Sequence, residues 1–504
     1  MTFEFWSSRK TSVVEAATGD LPVEPRAVLS SRPVLAATLV LTIVAIVHAV
    51  PGLRRWKAIG VASPTAGTAS ASGVMPAPTV GEATLTDESS SDYSPAELQG
   101  STGTVRGPIA ADSPPIDARD FDAKKPPRSI EDPSGKALDG FFAALARTAR
   151  HQAGAITRIL YFGDSIVASD YVTSTLRQRL QDRFGDAGHG FTLIANAWPS
   201  YFHDGVSRYA TGGWKLSRIV GPVAGDGWHG LGGVSFWAHP NILARIGTAK
   251  RGEVGRRVSR FVLAYVERPQ GGTVRVRIDG NPRPDLDTEG PIKRFATAQW
   301  RVPDGPHEIE LQTLRGTSRF FGIVLERDVP GVVLDAIGIQ GARIRFLDNQ
   351  DDEHFREQLK WRNPDLVVYE FGANESADGY AYPMSDYHRT MKAVIAQQRN
   401  ALPEASCLIV GAMDRASGSG TELKSLSIIP HLVAEQRKVA AELGCAFFDT
   451  YQAMGGRGSM PTWVRRGLGQ SDLTHPTAVG SEVLGAWLFR ALMQASRGQL
   501  VESK

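Results

Sequence analysis

Hydrophobic and polar positions along this chain switch between a few distinct regimes. Residues 1–32 are polar and proline-bearing. From Pro33 an apolar run extends to Leu53, interrupted only by His48 and closed by Arg54, Arg55 and Lys57. Such a run is long enough to span a bilayer. A cleaved signal peptide is the rival, against which the long polar preamble counts. Positive charge flanks both ends, so orientation stays open. From about Val61 to Arg128 the chain turns to Ala, Ser, Thr, Pro and Gly with few large apolar residues to offset ordering entropy, which predicts a disordered linker over 54–130.

Folding periodicity starts after Asp132. Leu138, Phe141, Phe142, Leu145 and Ala146 recur at helical spacing over residues 137–150. The apolar run Ile159–Phe162, the turn Gly163-Asp164-Ser165 and an amphipathic stretch from Asp170 to Phe184 predict strand, tight turn and helix. The glycine-rich Gly185–Gly190 reads as a connector, since the Lys-Ser/Thr ending of a phosphate loop is missing. Residues 191–240 mix Trp198, Tyr201, Phe202, Trp214, Trp228 and Trp237 with glycines. They fit an aromatic-walled sugar cleft or β-sheet packing. Trp214, behind Gly212 and Gly213, is the one expected to line a cleft as a substrate-binding residue. His203, His229 and His239 lack metal-ligand spacing.

Between Arg257 and Val329 the period shortens to two. Phe261–Val266, Thr273–Ile278, His307–Leu311 and Phe320–Leu325 predict short strands of an all-β sandwich. Beyond residue 331, strands at Leu366–Phe371, Cys407–Gly411 and Ala446–Phe448 alternate with helices at Tyr387–Arg399, Ile429–Leu443 and Ala478–Ala495. That alternation predicts a parallel sheet with helices on both faces.

Four blocks fall at strand ends or helix starts: Gly163-Asp164-Ser165, Gly341, Gly372-Ala373-Asn374 and Asp472-Leu473-Thr474-His475. In this order they resemble the SGNH/GDSL hydrolase superfamily. The resemblance implies a flavodoxin-like parallel-sheet α/β fold, here interrupted by the β-sandwich. An inserted sandwich resembling a carbohydrate-binding module also points to the peptidoglycan O-acetylesterase branch. The expected organisation is a polar tail at 1–32, a transmembrane anchor at 33–53 and a linker at 54–130. A first hydrolase segment at 131–204 and a second at 331–504 then flank the sandwich at 205–330.

The expected chemistry follows. Serine needs a base at neutral pH, so His475 takes the Ser165 proton while Asp472 fixes the imidazole tautomer. The oxyanion would meet the N–H groups of Ser165 and Gly341 and the amide of Asn374, with Gly338 the alternative to Gly341. Gly372 would leave room for substrate to approach. Ser165 read alone is equally a helix cap, and Asp472 with His475 equally an acidic helix start followed by Pro476. Asp164 reads as turn support, and Glu370, Glu375 and Asp414 take no role.

Composition changes little. A net charge of +3 over 504 residues gives no argument for nucleic acid. The basic cluster Arg245, Lys250, Arg251, Arg256, Arg257 and Arg260 reads as solvated surface before it reads as an anionic-glycan site. The two cysteines, Cys407 and Cys445, are expected as small buried hydrophobes rather than a disulfide. No cofactor or metal is expected. The sequence predicts a membrane-anchored, extracytoplasmic serine esterase acting on an acetylated envelope polysaccharide, with peptidoglycan first. An acetyltransferase using the same triad and a glycan-binding scaffold are the alternatives.

Overall fold

The computed structural model describes residues 89–90, 127–250, 255–419 and 422–496. The expected tail, anchor and nearly all of the linker lie outside them. Among the described residues no helix is long and apolar enough to cross a membrane.

In chain order the elements are α1 (Asp139–Ala149), β1 (Ile156–Gly163), α2 (Ser165–Ala168), α3 (Tyr171–Phe184), β2 (Gly188–Thr192), β3 (Val206–Ala210), β4 (Lys215–Arg218), β5 (Val234–Ala238), β6 (Leu243–Thr248) and β7 (Val258–Glu267). Then come β8 (Thr273–Ile278), β9 (Asn281–Asp287), β10 (Arg294–Gly305), β11 (Glu308–Arg315), β12 (Ser318–Glu326), β13 (Gly331–Gly338), α4 (Asp352–Arg362) and β14 (Leu366–Glu370). The chain ends with α5 (Met384–Ala401), β15 (Ser406–Val410), the short pair β16 (Ala416–Ser417) and β17 (Lys424–Ser425), α6 (Ile429–Leu443), β18 (Ala446–Phe448), α7 (Thr450–Met454), α8 (Ser459–Arg465) and α9 (Ala478–Ala495).

The parallel sheet runs β13-β1-β14-β15-β18. Numbered by sequence among themselves, its strands stand in the order 2-1-3-4-5, the flavodoxin-like arrangement, with its reversal between β1 and β14. Both faces of β1 are covered, which is why Ile159 to Phe162 form an unbroken apolar run. Ile159 and Tyr161 pack with Phe141, Leu176 and Leu484 of α1, α3 and α9. Leu160 and Phe162 pack with Phe355, Tyr387 and Leu432 of α4, α5 and α6. Full burial of each such side chain contributes about 1.5–3 kcal/mol.

The strands between β1 and β13 form two antiparallel sheets. One is β3-β6-β11-β8-β9, joined by residues 89–90 at its β3 edge; the other is β10-β7-β12-β5-β4, with β2 also on β12. Ile246, Val276 and Ile309 of the first share a core with Phe236, Leu263 and Phe320 of the second. The alternating runs read from sequence are β7, β8, β11 and β12, but β9 and β10 escaped that reading. The Asn281–Asp287 strand is almost wholly exposed and therefore carries no apolar signal. Gly188–Gly190, expected as connector, belongs to β2, because glycine there lets the backbone press against Asp335, whose Oδ1 would lie 2.2 Å from a Cβ at Gly190.

A buried carboxylate joins the antiparallel sheets to the parallel one. Glu326, ending β12, accepts from Arg158 of β1 at 3.1 Å, from Arg362 of α4 at 2.9 Å and from Arg260 of β7. Burial alone would raise its pKa, yet Arg362, Arg158 and Arg260 hold it well below the usual carboxylate range. Arg260 thus leaves the list of solvated cations. Arg245 pairs with Glu310 at 2.8 Å and Arg257 with Asp304 at 3.0 Å.

The cysteine expectation is overturned. Cys407 and Cys445 form a disulfide with Cα atoms 4.7 Å apart. Cys407 lies on β15 and Cys445 directly precedes β18, and the pairing of Leu408 with Ala446 makes them neighbours across the sheet. That register is invisible in sequence.

Candidate active site

Ser165 opens α2 immediately after β1, with Asp164 as N-cap accepting from the Ile166 N–H at 3.1 Å. At the first helical position its own N–H has no intrahelical acceptor. The serine therefore stands at the carboxyl edge of the sheet, beside the reversal where open α/β sheets bind ligands.

His475 arrives from a loop ahead of α9. Ser165 Oγ lies 2.8 Å from His475 Nε2, and His475 Nδ1 lies 2.5 Å from Asp472 Oδ2. The other Asp472 oxygen accepts from the N–H groups of Thr474 at 2.9 Å and His475 at 3.0 Å, closing a tight turn over Leu473, whose φ is +60°. A branched residue in that left-handed region costs on the order of 1–3 kcal/mol, so the turn is held against strain. The Leu473 carbonyl accepts from Ala416 of β16 at 3.0 Å. Asp472 is not the acidic cap of α9. Thr477 fills that place, accepting from the Gly480 N–H at 3.2 Å, and Pro476 precedes it.

Electrostatics fit the geometry. Burial works against an ionised Asp472, but the hydrogen bonds from the His475 ring and the two N–H groups hold its carboxyl below the usual range. The same bond to Asp472 raises His475 above the ordinary histidine value; burial and Arg415 oppose this, and Asp164 adds to it. An ionised carboxylate only accepts, so the ring proton sits on Nδ1 and Nε2 faces the serine hydroxyl as acceptor.

The remaining expected residues divide. Asn374 follows β14, and its amide nitrogen donates to the Ala342 carbonyl at 2.9 Å and reaches Asp164 Oδ2 at 3.4 Å. It thereby draws the Gly341–Ala342 turn and the Asp164–Ser165 turn together. Gly341 has a φ of +77° and nothing within 4 Å of a would-be Cβ. Gly338 has no such room, because its Cβ would meet Ala168 N at 1.9 Å.

Two expectations fail. Trp214 is 1% exposed and packs edge-on against Phe236 and Phe320 in the core shared by the two antiparallel sheets. Its two preceding glycines make a turn, but the side chain that follows points inward. Gly372 is buried too: its φ of +127° and a would-be Cβ 2.6 Å from the Ala412 Cβ explain the glycine, which serves packing and not substrate.

Asp164 is buried, and burial pushes its carboxyl up to about 6. Glu370, bonded by the Tyr161 hydroxyl at 2.8 Å, and Glu375, bonded by the Ile344 N–H at 2.8 Å, are both pushed up to about 7 by burial. Asp414 is equally buried and holds the start of α8 through the Met460 N–H at 2.9 Å. The residue that sequence reading missed is its neighbour Arg415. The signal was positional: like Ser165 and Asn374, it lies just past the carboxyl end of a parallel strand.

His475 is 33% and Asp472 43% exposed, so the pair opens to solvent. Grooves of about 500 Å³ along Tyr171, Gln178 and Glu482, and of about 550 Å³ along Lys215, Trp237 and Arg319, include neither Ser165 nor His475.

Residues 296–483 match the GDSL-like lipase/acylhydrolase family, a span that begins in β10 and so holds Asn374, Asp472 and His475 but not Ser165. Among curated proteins none matches the sequence. Of solved structures, a peptidoglycan O-acetylesterase is similar at 22% identity and a TM-score of 0.63, over 73% of this chain and 99% of the other. A family two carbohydrate esterase from Cellvibrio japonicus is similar at 13% identity and a TM-score of 0.24, over 56% of this chain and 98% of that one. The peptidoglycan O-acetylesterase shares the fold, and the match over residues 296–483 is to a GDSL-like lipase/acylhydrolase family, which together support a carboxylic ester hydrolase.

Proposed function

We propose that this chain is a serine O-acetylesterase that removes acetyl groups from a cell-envelope polysaccharide, peptidoglycan first. The observation that carries the reading is the line Ser165 Oγ, His475 Nε2, His475 Nδ1, Asp472, joined by contacts of 2.8 and 2.5 Å. Ser165 attacks the acetyl carbonyl and passes its proton to Nε2, which returns it to the departing sugar oxygen. Asp472 stabilises the imidazolium and stays ionised. The N–H groups of Ser165 and Gly341 and the amide of Asn374 meet the oxyanion, each donor contributing about 100- to 1000-fold in rate. Water then repeats the cycle on the acetyl-enzyme, and no cofactor enters.

The open setting of His475 favours water over a sugar hydroxyl as acceptor, and so hydrolysis over acetyl transfer. The fold shared with a peptidoglycan O-acetylesterase supports the substrate. We read residues 33–53 as an anchor and the antiparallel sheets as an inserted carbohydrate-binding-like sandwich. The Cys407–Cys445 disulfide supports an oxidising, extracytoplasmic location.

The test is acetate release from O-acetylated peptidoglycan by the full-length chain, wild type beside Ser165→Ala. The expected loss in kcat is on the order of 10⁶-fold. Equal release by both would remove Ser165 from the mechanism. Acetate transfer to glycan from an activated donor, without release from the polymer, would establish the transferase instead.

A further inference from the structure

Arg415 sits where two loops of the site meet, and all three of its guanidinium nitrogens bond there. Its Nε and Nη2 donate to the Thr474 hydroxyl at 3.2 and 3.0 Å. Its Nη1 donates to the Ser376 hydroxyl at 2.5 Å and to the Ala373 carbonyl. Thr474 immediately precedes His475, and Ala373 immediately precedes Asn374. One side chain therefore ties the loop carrying the base to the loop carrying the amide expected at the oxyanion. Its backbone is fixed as well: the Arg415 carbonyl accepts from the Leu426 N–H at 2.7 Å, and the Ala416 N–H donates to the Leu473 carbonyl at 3.0 Å.

The energetic case is asymmetric. Burial disfavours the Arg415 charge and lowers its pKa, while the Asp164 and Asp472 carboxylates favour it. A half-buried cation with hydrogen bonds from all three of its nitrogens fixes geometry well. The planar fork matters, because the single ammonium of a lysine presents no comparable set of divergent in-plane donors. The latch is the side-chain tie between the two loops, and a misplacement of His475 by about 1 Å costs about 100-fold in rate.

We propose that Arg415 is a positioning residue of this esterase: it latches the His475 loop to the Asn374 loop. This rests on Ser165 and His475 acting as nucleophile and base. The charged groups that face His475 are Asp472 on its own loop, Asp164 at the start of α2 and Arg415 after β15. Both carboxylates raise the histidine pKa, while burial and the Arg415 charge lower it, so losing the arginine charge moves the value up.

The experiment measures kcat, KM and the pH profile of kcat/KM on a soluble acetate ester, 4-nitrophenyl acetate, with full-length wild type, Arg415→Lys, Arg415→Met and Ser165→Ala. Arg415→Met is expected to lose about 100-fold in kcat with little change in KM, and its acid limb is expected to move to higher pH. Arg415→Lys keeps the charge and loses the fork, so its rate falls while its acid limb stays near wild type. Near-wild-type kcat and an unmoved limb in Arg415→Met, with Ser165→Ala inactive, would overturn the proposal while leaving the esterase reading intact. Should Arg415→Met fail to fold, Arg415→Lys decides alone, since a wild-type rate there would remove the latch. Activity retained by Ser165→Ala would overturn both readings together.

Discussion

At the residue scale the site turns on who holds His475. Asp472 raises its pKa by the strongest single interaction, and a base must be neutral to accept the serine proton. Activity is therefore expected above the raised His475 value and lost as pH falls through it. Asp472→Asn removes the cause of the rise, so the acid limb of kcat/KM should move to lower pH while kcat falls about 10⁴-fold. A pH-rate profile checks this, and an unmoved limb would mean that Asp472 does not set the titration. Of the residues read from sequence, Ser165, Asn374, Asp472 and His475 stand together because short motifs carry their own turn geometry. Trp214 and Gly372 failed differently: Trp214 follows an exposed glycine turn but its side chain enters the core, and Gly372 is a glycine because of close packing against Ala412.

At the element scale, the turn from β1 into α2 is braced from behind. Gly338 of β13 lies so close to α2 that a methyl group would sit 1.9 Å from Ala168 N. Gly338→Ala should therefore displace the element that bears Ser165, with an overpacking cost of about 1–3 kcal/mol in stability and loss of activity in the same variant. Gly341→Ala meets no such contact and strains only its own φ of +77°, so most of its effect should appear in kcat. Comparing urea midpoints with kcat for the two variants checks the division. Equal loss of stability in both would contradict it. Periodicity placed α1, α3, α5, α6 and α9 and the apolar strands β1, β7, β8, β11, β12, β14, β15 and β18. It missed β9 because an exposed strand has no buried face to mark it.

At the scale of the whole molecule, the disulfide closes a sequence separation of 38 residues between β15 and β18. On the chain-entropy account this contributes about 4 kcal/mol, against a total of about 5–15 kcal/mol for a typical domain. Cys407→Ala with Cys445→Ala should lower the urea midpoint accordingly, and reductant should then have no further effect. Near-wild-type stability would show the bridge to be redundant with the sheet around it. Kinetics in native buffer should change little, since the pair lies on the sheet and not in the loops that hold Ser165 and His475.

The division between sequence and tertiary structure follows from what each interaction depends on. Local chemistry was sufficient for the strand-turn-helix at Ser165, the Asp472–His475 turn, the alternation that makes a parallel sheet and four strands of the antiparallel sheets, β7, β8, β11 and β12. Those depend on spacings of a few residues, which the chain carries with it. Strand order, the Cys407–Cys445 register, the Glu326 arginine cluster and the place of Arg415 were decided only in three dimensions. Each joins residues far apart along the chain through a buried charge or a sheet register, and nothing in a local pattern says which distant partner will neutralise a charge or lie across the ladder.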